Sequence, residues 1–92
     1  MPPEFDERPA PLGICFLKAG PRLRMQIVDC DTVTLRLAEV SVIVRNITSL
    51  GARRYRGTIA GFKNWSGPAR GGYSVGDRVQ FAEQQVFVCA MP

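Results

Sequence analysis

A chain of 92 residues with a net charge of +4 has room for one domain built on one hydrophobic core, and two domains are excluded. A hydrophobic share of 46% argues against disorder of the whole chain. No uncharged run exceeds nine residues, at 9–17 and 84–92, whereas a membrane-spanning helix needs about 20 apolar positions.

The amino terminus, Met1 to Pro9, sets Glu4, Asp6 and Glu7 against Arg8 alone, the reverse of a basic leader peptide. A soluble cytoplasmic protein is therefore expected. Three cysteines, Cys15, Cys30 and Cys89, cannot all pair within one chain, and none has a CxxC spacing. They read as free thiols in a reducing compartment. Arginine outnumbers lysine ten to two, a bias common in GC-rich bacterial and phage genomes.

Residues 1–12 hold four of the seven prolines and three of the eight acids, so backbone donors are missing and pairing is obstructed. They are expected to form a flexible, disordered acidic tail, with residues 13–92 as a single small barrel domain. Ile14 to Leu17 begins the apolar texture, and Gly20-Pro21 punctuates it. From Arg22 to Val28 the sequence alternates, with Leu23, Met25 and Ile27 on one face and Arg22, Arg24 and Gln26 on the other, which predicts a half-buried strand.

Asp29-Cys30-Asp31 then reads as a polar turn. Thr32 to Ile47 is a long run in which Val33, Leu35 and Leu37 are in phase and Val40, Val42 and Val44 follow one position late. The slip at Ala38-Glu39 is expected to be a bulge that bends one long strand. After a turn at Leu50-Gly51, Arg53 to Phe62 predicts another strand with Tyr55, Gly57, Ile59 and Gly61 facing inward. Lys63 to Gly76 is glycine-rich and reads as a loop long enough to bind or plug.

Arg78 to Phe81 and Gln85 to Cys89 end the chain as two short strands. Without a helical period anywhere, the expectation is an all-β fold: a small barrel or a strongly bent antiparallel sheet of five to six strands. The string Tyr73-Ser74-Val75-Gly76-Asp77-Arg78-Val79-Gln80-Phe81 resembles the turn-then-strand segment of many small barrels, including SH3-like and OB-like domains. That resemblance implies a barrel and carries no functional residue with it.

The chemistry is defined first by what is missing. Histidine is absent, which removes the usual general base and the commonest metal ligand. Cys30 lies between two aspartates that disfavour a thiolate, while Cys15 and Cys89 sit in apolar strands and read as core. Asp29 and Asp31, with Glu39 or Glu83, are far more often turn formers than a metal or acid-base site. No catalytic residue, metal or cofactor is expected.

Charge position is the informative feature. From Arg45 to Gly76 there are six basic residues and no acid, whereas the rest of the chain is net −2. Arg45, Arg54 and Arg56 are expected to share one outward patch, with Arg53, Lys63 and Arg70 at its edge and Tyr73, Trp65 and Phe62 beside it. Such a surface tracks a phosphate backbone and stacks bases; the plainer alternative is a solvated strand face.

Trp65 reads either as a contact residue or, favoured by its size, as a plug buried at one end of the barrel. Two functions follow: a non-enzymatic module that binds DNA or RNA, or a phage- or plasmid-encoded inhibitor or accessory factor, for example against host defence. The second would set its basic surface on an acidic bacterial protein or nucleoprotein complex.

Overall fold

The computed structural model describes residues 5–9, 13–17, 27, 31–65, 67 and 69–90. The strand predicted from Arg22 to Val28 and the turn at Asp29-Cys30 therefore lie outside the described residues, save for Ile27, which is buried. Where alternation is clearest the chain folds accordingly. In β2 (Thr32–Leu37) the side chains of Val33, Leu35 and Leu37 are buried and Arg36 is exposed. In β3 (Val40–Gly51) Val40, Val42 and Val44 are buried in turn.

The slip between these runs is a chain reversal and not a bulge. Leu37 pairs with Val40 across a two-residue turn, and Ala38 takes a left-handed φ of 56°. Residues flanking such a turn are cross-strand partners and share a face, so alternation restarts one position late. The expectation of one long bent strand is corrected to a hairpin.

The bulges lie further on. Arg45 pairs with Thr58 and Thr48 with Arg56, so Asn46 and Ile47 of β3 oppose Gly57 alone in β4 (Arg54–Lys63). Asn46 accepts φ of 57°, and the inserted residue turns Ile47 into the same core as Val44. Opposite them there is no space for a side chain. A Cβ on Gly57 would lie 2.5 Å from Val44 Cγ1, 2.8 Å from Ile47 Cδ1 and 2.9 Å from the Arg45 carbonyl oxygen.

A second shift leaves Ala60 without an opposite residue, since Val44 pairs with Ile59 and Ile43 with Gly61. Tyr55, Gly57 and Ile59 face inward as expected, but beyond the bulge Phe62 is the residue packed against the core. Gly61 falls on the outer face beside Ile43. The turn into β4 carries three consecutive left-handed residues, Gly51, Ala52 and Arg53.

The predicted loop from Lys63 to Gly76 contains a small hairpin, β5 (Ala69–Arg70) with β6 (Tyr73–Ser74). Gly71 and Gly72, at φ of 60° and 88°, form its turn, the mirror-type turn that glycine permits. Asp77 Oδ2 then accepts from the Ser74 N–H at 2.9 Å, and β7 (Arg78–Ala82) returns Val79 and Phe81 to the core. A 3-10 turn over Glu83–Gln85 leads to β8 (Val88–Ala90).

The sheet runs β1 (Cys15–Leu17), β8, β2, β3, β4, β7. Five strands are antiparallel and β1 joins β8 in parallel. The fold is all-β, and the sheet does not close into a barrel. No helix among the described residues is long and apolar enough to cross a membrane.

Residues 5–9 differ from the flexible tail expected through Leu12. Phe5 is buried in the core and stacks on Tyr73, with ring centroids 4.7 Å apart. The Asp6 N–H donates to Arg36 O at 2.8 Å, and the Arg8 N–H donates to Gln84 O at 2.7 Å. Proline removes donors only at its own positions, so the amides between prolines remain free to anchor the segment.

Alanine in place of Gly57 is expected to cost about 1–3 kcal/mol by overpacking. A lower urea midpoint at unchanged m-value is the check.

Candidate functional site

Because inward residues of β4 are Tyr55, Gly57 and Ile59, the residues between them face outward. Arg54 and Arg56 are exposed there, with half-buried Thr58. The register lays neighbours on both sides. One row across the sheet runs Arg45, Thr58, Arg78; the next runs Thr48, Arg56, Gln80; the third runs Gly51, Arg54, Ala82. Arg45, Arg56, Arg54 and Arg78 therefore share the outer face of three strands.

With strands about 4.8 Å apart, the Cα atoms of Arg45 and Arg78 stand roughly 10 Å apart across β4. No aspartate or glutamate occupies an outward position of these rows. Three carboxylates stand near the ends of these rows: Asp77 accepts from the Ser74 amide, half-buried Glu83 donates its backbone N–H to Arg53 O at 3.0 Å, and exposed Glu7 lines a cleft together with Arg54.

The structure brings Arg45, Arg54 and Arg56 together as expected and sets Arg53 in the adjoining turn. Arg78 was not among the residues expected at the site. Its outward position follows from Val79 and Phe81 facing in, but its place beside Arg45 depends on how the connection from Lys63 to Gly76 returns the chain, which alternation does not encode.

Lys63 is exposed at the far end of β4 and pairs with Ser41, which in turn pairs with Arg36. A second basic row, Arg36, Ser41, Lys63, thus lies on the same outer face. The backbone of Arg70 forms β5, paired with Tyr73 of β6 in the small hairpin.

The aromatic residues are arranged differently from expectation. Phe62 and Tyr73 both pack against the core. Trp65 is 43% exposed, so it is not a buried plug. Its Nε1–H donates to Ala69 O at 2.6 Å and braces the chain entering β5. Tyr73 also lines a cleft of about 200 Å³ with Phe5, Glu7, Arg54, Gln80 and Gln84, which opens beside the arginine rows at β7.

Cys89 is buried and its Sγ lies 3.2 Å from Oδ2 of buried Asp31, a hydrogen bond within the core. Cys15, read from sequence as core, is exposed, because its place on β1 at the sheet margin opposite Val88 leaves it uncovered. Among the described residues no group of three or more His, Cys, Asp or Glu is placed to hold a metal ion. Comparison of the chain with protein-family models, with curated proteins and with solved structures finds no match.

Directly beneath the arginine face, Tyr55 stacks on Phe81, and its hydroxyl is held above the ordinary value of 10.0. Burial is the main cause; the fields of Glu83 and Cys89 add to it and Arg53 opposes it. The unfolded chain ionises this tyrosine first, so the stability contributed by neutral Tyr55 is whole below about pH 10 and is lost as pH rises through the folded value. Tyr55→Phe should flatten this alkaline decline in melting temperature, and an ultraviolet titration should show one late-ionising tyrosine that disappears in the variant.

Proposed function

We propose that this chain is a small non-enzymatic protein that binds nucleic acid through the outer face of β3, β4 and β7. The carrying observation is the coincidence of Arg45, Arg56, Arg54 and Arg78 on adjacent strands with no carboxylate between them. Guanidinium groups fixed on a sheet contact phosphate oxygens with two parallel donors, and displaced counterions supply the free energy. Lys63 and Arg36 extend the same charge to the far end of the face.

Kinship with SH3-like or OB-like architecture, in an open form of such a barrel, belongs to the same proposal. Its support is the strand order, in which β7 and β8 bound the five antiparallel strands and are joined by one 3-10 turn. Lack of histidine and the engagement of Cys89 and Asp31 with each other favour binding over catalysis. A cytoplasmic setting accords with this reading.

Arg56→Glu combined with Arg78→Glu should leave the melting temperature nearly unchanged, since exposed charges seldom contribute more than about 0.5 kcal/mol. Affinity for nucleic acid, followed by fluorescence anisotropy, should fall at least about tenfold. The slope of log affinity against log salt should flatten by about one for each phosphate contact removed. Unaltered binding would overturn the proposal. So would a parent protein that binds neither DNA nor RNA at low salt, and an acidic protein partner would then be the reading to pursue.

A further inference from the structure

The far half of the outer face has a different texture. Between the basic row of Arg36, Ser41 and Lys63 and the basic row of Arg45, Thr58 and Arg78 runs a strip formed by Val88, Thr34, Ile43 and Gly61, in register across four strands. It carries no charge. Ile43 and Val88 face outward and are half-buried, so two aliphatic side chains stand where alternation elsewhere places polar ones. At its β8 end the strip meets Phe87, whose ring lies 5.5 Å beneath the Arg36 guanidinium. Thr34, Arg36, Ser41, Phe87 and Val88 line a shallow hollow of about 300 Å³ there.

Gly61 is the decisive residue. Unlike Gly57, it does not need to be glycine for the fold: its φ is not left-handed, and an added Cβ would meet nothing within 4 Å. Glycine weakens a strand; it is found beside bulges, as here next to Ala60, and where a ligand comes close to the backbone, and at Gly61 it leaves the outer face bare of any side chain. On the other edge of β4 the pairing runs one residue past Thr58, where the Ile59 N–H donates to Asp77 O at 2.9 Å and Ile59 O accepts from the Gly76 N–H at 2.8 Å. The strip lies between two rows of cations about 13 Å apart along β3.

We infer that this strip seats the bases of a single-stranded nucleic acid, whose phosphates lie on the flanking basic rows; the inference rests on the nucleic-acid reading above. A duplex keeps its base faces stacked inside and presents only backbone and groove edges, so it has no use for an uncharged strip with a bare glycine. A single strand offers planar faces that stack on apolar and aromatic side chains and on guanidinium planes. The Arg36 and Phe87 pair is such a platform already assembled, and charge complementarity selects a polyanion over an apolar peptide.

Gly61→Val tests this without touching a charge. Valine suits a strand better than glycine, so thermal stability should hold or rise. Binding of a fluorescent oligodeoxythymidine of about 20 nucleotides should fall by about tenfold, the scale of one lost base stack. Binding of the same strand annealed to its complement should change little. In a second measurement on the parent protein, a strand carrying 4-thiothymidine should photocrosslink to the peptides containing Ile43 or Phe87.

If Gly61→Val binds the single strand as the parent does while Arg56→Glu with Arg78→Glu lowers binding, the strip is overturned and the arginine face stands. Crosslinks confined to other peptides, or a parent that prefers duplex, overturn the strip in the same way. If neither variant affects binding, both readings fall together.

Discussion

The contact between Gly57 and the bulge of β3 is the constraint on which the remaining structure depends. Without the inserted residue at Asn46, Ile47 would point outward among the arginines, and the core would lose one of its largest buried side chains. With it, β3 delivers Val44 and Ile47 to the same side, and the backbone of β4 comes so close that hydrogen alone fits at Gly57. The same irregularity fixes the outer face. Arg45 and Thr48 are the residues on either side of the bulge, so their rows with Arg78 and Gln80 follow from where the extra residue sits. Bulges increase local twist, and core and arginine face are therefore two sides of one backbone event.

The other end of the domain is held by polar contacts. The Arg8 guanidinium donates from Nη1 to Glu83 O at 3.0 Å and to Val86 O at 2.6 Å, and Gln85 Nε2 donates to Phe5 O at 3.1 Å. Gln85 also accepts the Ala82 N–H through Oε1 at 2.8 Å. Arg8 of the amino-terminal segment thus donates to two carbonyls of the 3-10 turn between β7 and β8, Glu83 O and Gln84 O. Phe5 adds apolar area where the open sheet would otherwise leave Tyr73 uncovered. In a domain of this size, one more buried aromatic is a sizeable fraction of net stability.

Much of this was legible in the chain, and the failures have physical causes. Period-two patterning located the inward sets Val33, Leu35, Leu37 and Val40, Val42, Val44 because burial on one face leaves no freedom of parity. It could not separate a bulge from a two-residue turn at Ala38-Glu39, since both shift the phase by one, and this turn lacks the glycine or asparagine that usually marks a reversal. The true bulge at Asn46 was hidden by a residue that tolerates left-handed φ without glycine. Phe5 is not legible because proline density points to looseness, although one aromatic is enough to anchor a short segment. Of the arginine site, Arg54 and Arg56 came from spacing alone, whereas Arg78 needed the β4 to β7 register, and Trp65 needed its bond to Ala69 to be seen as a brace.

Four arginines on one face raise the question of what their proximity costs in the unbound protein. Two unit charges about 10 Å apart in water repel by roughly 0.4 kcal/mol, and salt at physiological strength, with a Debye length of about 8 Å, reduces that further. The face is therefore cheap to keep empty, and repulsion gives no argument that it must be filled. The asymmetry appears on binding. On the proposed reading, each phosphate that reached the face would release condensed counterions, so the gain would grow with every contact while the standing cost stays small. Long side chains on a rigid sheet add a second advantage, because the backbone beneath them is already ordered by the core and only rotamer freedom is lost when they engage. The uncharged strip beyond Arg45 fits the same logic. Cations placed there would add affinity for any polyanion, whereas a strip left uncharged and bare at Gly61 would, on the inference drawn above, give up some of that affinity for discrimination of an open strand from a closed duplex.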